Sequence, residues 1–272
     1  MLDRESELEV IRTAIATAST GLGSALVVEG VAGIGKTRLL ARGCALGQRA
    51  GLRILRASCG EFEATYPWGM VRQVFDCIVR DDSAGGPRRF LRDAGRLALP
   101  ALGLGVAAGG RKDDEFALLH GLYWLTADMA RESPLLIAVD DLHWSDRPSL
   151  RFVAHLIRRL EGLPVLLMVS ARPPRPTGQR EHGDPDYVLA SIRAEGLATV
   201  ICPGPLSGPA CASLLRDALG DQPAPGFAEA CQHMTGGNPF LLQALADSLV
   251  AERGRNRPRG PDSVAAHSDV PV

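Results

Sequence analysis

Residues 30–37 read Gly30-Val31-Ala32-Gly33-Ile34-Gly35-Lys36-Thr37, between an apolar run, Ala25 to Glu29, and a helical pattern that opens at Lys36. The stretch fits G-x-x-x-x-G-K-[ST]. Glycine has no Cβ, so successive backbone N–H groups in such a turn can converge on one anion. The helix opening at Lys36 adds the positive end of its dipole to the same place. Lys36 is suited to reach β- and γ-phosphates, and the Thr37 hydroxyl to ligate Mg²⁺. The stretch predicts a phosphate-binding loop between a first strand and its crossover helix.

Composition sets the frame around it. The chain has 272 residues, 46% hydrophobic, with a formal net charge of −1. That is room for one large domain with a small appendage. The near-zero charge excludes a general electrostatic pull toward nucleic acid or an anionic membrane. Lys36 and Lys112 are the sole lysines, and arginine carries the rest of the positive charge. The six cysteines include no C-x-x-C pair, which argues against a zinc or redox framework. The charged opening predicts no signal peptide, and no apolar run reaches membrane-spanning length. A cytoplasmic protein is expected.

Strands and helices alternate along most of the chain. A helix is expected over residues 3–18, then a strand Ala25–Glu29 and a helix Lys36–Arg49. A second strand is read at Leu52–Ser58, followed by an aromatic loop, Cys59 to Gly69, and a helix near Met70–Val79. Residues 81–110 look like a mobile surface insertion around a short basic helical piece, Arg88 to Leu99. A helix over Asp113–Arg131 leads to a third strand, Leu135–Val139, which ends in Asp140-Asp141. A helix Pro148–Leu160, a fourth strand Leu163–Ser170, a loop Pro173–Asp184, a helix Tyr187–Ala194 and a fifth strand Ala198–Cys202 complete the alternation. Beyond residue 205 the pattern is helical only: Pro209–Leu219, Gly226–Met234 and Pro239–Ala251. In the last of these, Phe240, Leu241 and Leu245 are expected to pack onto neighbouring helices. A disordered tail is expected over 252–272.

The predicted fold is α/β: a P-loop NTPase three-layer sandwich with a five-stranded, mostly parallel sheet over 1–204, and a small helical lid over 205–251. Ligands of such sheets bind at the carboxyl ends of the strands. Three groups fall there: residues 30–37 after strand one, Asp140-Asp141 after strand three, and Ser170-Ala171-Arg172 after strand four. Asp140 is the candidate to hold Mg²⁺ across neighbouring strands from Thr37, and Asp141 the candidate base or orienter of an attacking water.

With those motifs in view, Leu135-Leu136-Ile137-Ala138-Val139-Asp140-Asp141-Leu142-His143-Trp144-Ser145-Asp146 resembles the Walker B segment of STAND-class, AAA+-related ATPases. The likeness is greatest to the ATPase module of large ATP-binding LuxR-type transcriptional regulators, and it spans about residues 1–250. Asp3-Arg4-Glu5-Ser6-Glu7-Leu8 resembles the N-terminal box beside the adenine, which makes Arg4 a binding candidate. Arg172 falls where the class carries a sensor arginine, and Arg38 follows the phosphate loop. Gly237-Asn238-Pro239-Phe240 resembles the lid motif whose proline, here Pro239, contacts the base. The resemblance implies ATP and Mg²⁺ as cofactors, slow hydrolysis, and protein partners or self-association. The family's helical-repeat arm and C-terminal helix-turn-helix are absent from this sequence, so the resemblance does not extend to direct DNA binding.

Two other readings remain. A phosphotransferase on the same scaffold would carry an arginine-rich lid, where this chain has Gly236-Gly237-Asn238-Pro239. A nucleotide-binding piece of a longer regulator would keep Lys36, Thr37, Asp140 and Asp141 without an output of its own.

Overall fold

The computed structural model describes residues 2–80, 87–105, 112–173, 185–221, 224 and 226–255. The predicted break at 81–86, most of the loop expected over 173–184, and the tail from 256 lie outside them. Five strands form one sheet: β1 (Ser24–Glu29), β2 (Arg53–Ser58), β3 (Leu135–Asp140), β4 (Val165–Ala171) and β5 (Ala198–Ile201). Their order is β2-β3-β4-β1-β5, and every pairing is parallel.

Burial explains the order. All seven residues of β4 are buried, and β1 and β3 keep apolar side chains on both faces, as central parallel strands require. β2 alternates Arg53 and Arg56 with apolar residues, and β5 leaves Thr199 and Val200 exposed. Partly polar strands belong at sheet edges. The five-stranded P-loop sandwich is therefore borne out. One expectation is corrected: β1 and β3 are not neighbours, because the most apolar strand, β4, lies between them.

Side chains alternate between two cores. On one face Val27, Ile137, Val139, Leu167 and Val169 pack with α3 (Gly69–Val74), α4 (Asp76–Arg80), α5 (Lys112–Glu132), α6 (Arg147–Ile157) and α7 (Pro185–Ala194). On the other, Leu26, Val28, Leu136 and Met168 pack with α1 (Glu5–Ser19) and α2 (Lys36–Arg49).

The expected insertion is corrected in its described part. Residues 87–105 include two 3-10 turns, Pro87–Phe90 and Asp93–Ala98, and their Phe90 and Ala98, with Ala101 and Leu102 just beyond, are buried in the first core. Gly121 of α5 permits this, since a Cβ there would lie 2.5 Å from Ala98 N. A glycine inside a helix costs about 1 kcal/mol against alanine. Burying one large apolar side chain offsets that, at roughly 1.5–3 kcal/mol. Arg89 of the basic piece pairs with Glu132 at the end of α5.

The chain divides into two compact units, Arg4–Gly204 and a second made of the first three residues with the chain from Pro205. The second unit contains α8 (Gly208–Leu219), α9 (Phe227–Thr235) and α10 (Pro239–Arg255). Ser207 caps α8 by accepting the Ala210 N–H at 3.3 Å, and Asp3 Oδ2 accepts the Ser207 N–H at 2.7 Å. Helix α10 continues to Arg255, four residues into the expected tail. Its phase buries Leu242 and Ala246 and leaves Phe240 and Leu241 exposed, which corrects the expected inward packing of those two. Gly237 stands against Leu206, whose carbonyl oxygen would be 2.7 Å from a Cβ there.

Candidate functional site

The phosphate loop turns out of β1 after Glu29, whose carboxylate is paired with Arg193 of α7 at 2.8 Å. Val31 and Ala32 at its tip are exposed, and Gly35 stands at φ 102° before the first turn of α2. Lys36 is buried rather than directed outward: its Nζ donates to the Gly30 carbonyl at 2.9 Å and the Val31 carbonyl at 3.1 Å. The lysine closes the loop upon itself. Burial pushes its ammonium below the usual lysine range; Asp141 and Asp140 pull it back up, and the Arg172 guanidinium pushes it further down. Asp140, Asp141 and Arg172 are thus each within electrostatic reach of Lys36. Thr37 and Arg38, the next residues of α2, are exposed.

The acid pair ends β3. Asp140 Oδ1 accepts from the Ser170 hydroxyl and from the Asp141 N–H, the latter at 3.2 Å. Ser170 Oγ in turn accepts the Asp141 N–H at 2.8 Å. Ser170 is fully buried in β4, so it fills the space between the ends of β1 and β3. Asp141 takes a left-handed conformation, φ 51° and ψ 46°, and its carboxylate lies 3.9 Å from His143 Nδ1. Such backbone strain in a non-glycine residue persists only where the surroundings enforce it. Arg172 stacks over the Trp144 ring, 5.6 Å from its centroid.

Two residues carry no role in the sequence motifs. Asp146 is buried and accepts from Ser149 N at 3.0 Å, capping α6. It also accepts from Trp68 N at 2.8 Å and Met70 N at 3.4 Å, at the start of α3. One carboxylate thus ties the aromatic loop after β2 to the segment after β3. Its capping role has a sequence signal, an aspartate shortly before a proline at a helix start; its long-range role has none. Cys59, at the base of the same loop, is buried, with its thiol pushed up to about 12 mainly by desolvation. Arg4, expected beside a base, has its Nη2 on the Ile34 carbonyl of the phosphate loop at 3.2 Å and the Gly204 carbonyl at 2.6 Å. Pro239 opens α10 within its own unit, and Asn238 Oδ1 caps that helix by accepting the Phe240 N–H at 3.0 Å.

The donor set fits a nucleotide-borne magnesium ion better than a resident metal. Among the described residues no group of three or more His, Cys, Asp or Glu could hold a metal by itself. Magnesium is commonly held by one or two carboxylates with substrate phosphates and water. Asp140 suits that role, since both its hydrogen bonds fall on Oδ1.

A phosphate loop after β1, an acid pair after β3 and a polar residue of β4 between them define a P-loop NTPase. The model of the family described as "AAA ATPase domain" matches residues 2–169, and the chain belongs to that family. The AAA-type ATPase module read from the sequence is borne out by that match. The chain is similar to an uncharacterised protein of Rhizobium meliloti (strain 1021), at 26% identity over 196 residues, covering 64% of this chain and 18% of that protein. Among solved structures it is similar to a Signal Transduction ATPase with Numerous Domains carrying a tetratricopeptide repeat sensor, from Pyrococcus horikoshii. That match has a TM-score of 0.48 and 16% identity, covering 93% of this chain and 32% of the other. It is also similar to AMPPCP-bound DnaA from Aquifex aeolicus, with a TM-score of 0.48 and 12% identity, covering 92% and 62%. The chain spans under a fifth of the curated relative. Among the described residues no helix is long and apolar enough to cross a membrane.

Proposed function

We propose that this chain is the ATP-binding, slowly hydrolysing module of a signal-transduction switch acting in transcriptional control. The observation that carries the proposal is the convergence of Lys36, Asp140, Asp141 and Arg172 at the carboxyl ends of three adjacent strands. Residues 30–37 cradle the phosphate chain, with Gly30, Val31, Ala32, Gly33, Ile34 and Gly35 supplying backbone and Lys36 leaving the Gly30 and Val31 carbonyls for the β- and γ-phosphates. Thr37 and Asp140 hold Mg²⁺, which supplies charge neutralisation when bound. Asp141 orients the attacking water, and Arg172 stabilises charge developing on the transferred phosphoryl group. Arg38 lies at the rim of the cradle.

Residues 205–251 act as the lid in this reading, with Pro239 contacting the base, and lid closure reports nucleotide state to protein partners or to further copies of the chain. The fit of the sequence to the ATPase module of LuxR-type regulators supports the transcriptional setting.

The deciding experiment is calorimetry with ATP and Mg²⁺ on the parent and on Lys36→Ala. Loss of tight binding with little change in melting temperature is the expected result, because the Lys36 Nζ hydrogen bonds go to carbonyls of its own loop. Equal affinity in the two proteins refutes the assignment.

A further inference from the structure

Arg4 is 4% exposed and hydrogen-bonds across 200 positions of sequence. The two hydrogens of a single nitrogen, Nη2, go to two carbonyls, Ile34 at 3.2 Å and Gly204 at 2.6 Å. The other terminal nitrogen, Nη1, faces Glu7 Oε1 at 3.7 Å. Both ends of this bridge have meaning. Ile34 lies inside the phosphate loop. Its carbonyl and the Gly35 N–H belong to one planar trans peptide and point in opposite directions. Holding the carbonyl against Arg4 therefore fixes the Gly35 N–H on the far side, where a phosphate cradle needs donors.

Gly204 is the last residue of its unit, and Pro205 begins the other. The chain passes between units at one further place, Asp3 to Arg4, so the arginine is itself the first residue after a crossing. On the far side of these crossings, Asp3 Oδ2 accepts the Ser207 N–H and Gly237 O accepts the Leu206 N–H at 2.8 Å. Backbone amides that report on the second unit thus lie two and three residues past Gly204.

We infer that Arg4 is a coupling strut: it links the Ile34–Gly35 peptide of the phosphate loop to the Gly204 crossing, so that filling the loop alters the tether to the second unit. A buried forked cation suits the task, because it cannot lose its proton and its rigid plane fixes the spacing of two acceptors. When phosphate draws the Gly35 N–H, the shared peptide rotates, the Ile34 carbonyl moves against Nη2, and the Gly204 carbonyl on the same nitrogen follows. The inference rests on nucleotide binding at residues 30–37 and adds the route by which that event leaves the loop.

The test is hydrogen exchange on the full chain, with and without a non-hydrolysable ATP analogue and Mg²⁺, read at peptides covering residues 30–37 and 203–208. In the parent both peptides should change protection. Arg4→Met keeps the packed stem and removes every donor. It should retain the response at 30–37, lose it at 203–208, and bind the analogue about tenfold more weakly. A variant response at 203–208 equal to the parent's overturns the strut, as does a parent response confined to 30–37. No parent response at 30–37 instead overturns the nucleotide site itself. Should Arg4→Met fail to fold, Arg4→Lys carries the same readouts: it keeps the charge but ends about one bond short of the Nη2 position, so the response at 203–208 should again fall away, and its full persistence overturns the inference.

Discussion

The Ser170 hydroxyl donates to Asp140 Oδ1 from the strand between the phosphate loop and the acid pair, and the same hydroxyl oxygen accepts the Asp141 N–H at 2.8 Å. One buried side chain thus orients both acids, and it commits Oδ1 of Asp140 while leaving the other oxygen for a ligand. Ser170→Ala removes a donor and an acceptor together. ATP turnover should fall about tenfold or more, with metal-free nucleotide affinity little changed. Steady-state hydrolysis alongside calorimetry in chelator checks this, and a turnover equal to the parent's would show that the hydroxyl only fills space.

The two acids should separate in kind. Asp140→Asn should weaken Mg²⁺-dependent binding, whereas Asp141→Asn should retain binding and slow hydrolysis by roughly 10²-fold. Binding and single-turnover assays on both variants make the comparison. Parent-like turnover in both would displace the acids from the chemistry.

Asp146 holds three backbone N–H groups at the starts of two helices. Asp146→Ala leaves buried donors unsatisfied as well as removing a helix cap, a loss of roughly 2–4 kcal/mol. Denaturant unfolding should show that loss, and proteolysis should open first between residues 59 and 70. A loss under about 0.5 kcal/mol would mean that water replaces the carboxylate.

Gly121 faces backbone atoms: a Cβ at this position would stand 2.5 Å from Ala98 N and 2.6 Å from Leu97 C. Helix propensity favours alanine there by about 1 kcal/mol. The clash is with main chain, which cannot swing aside, and overpacking costs about 1–3 kcal/mol. Gly121→Ala should therefore lower the melting temperature; a raised one would show that residues 87–105 shift freely.

His155 lies between Arg158, Arg159 and His120, and burial first, then those neighbours, holds its pKa at about 4. The unfolded chain takes up this proton below about pH 6.5, while the folded chain stays neutral to about 4. The contribution to stability is complete above the unfolded value and is lost as the pH falls from there toward 4. Melting temperatures from about pH 7.5 down to about 5 should fall more steeply for the parent than for His155→Gln. Parallel curves would remove His155 as the cause.

The sequence by itself determined what depends on neighbours along the chain. The phosphate loop was legible because G-x-x-x-x-G-K-[ST] places its chemistry within eight residues, and Asp140-Asp141 because an acid pair ends an apolar run. The alternation of strand and helix was enough for a parallel sheet and its carboxyl-end site. The tertiary structure alone decided the rest. The place of β4 between β1 and β3 follows from competition among all the apolar strands for two-sided burial, which no single strand encodes. The burial of Phe90, Ala98, Ala101 and Leu102 depends on Gly121 and α5 coming to meet them. The partners of Arg4 and of Asp146 are backbone groups, and every residue carries those, so a carbonyl 200 positions away has no sequence signature until the fold brings it within 2.6 Å.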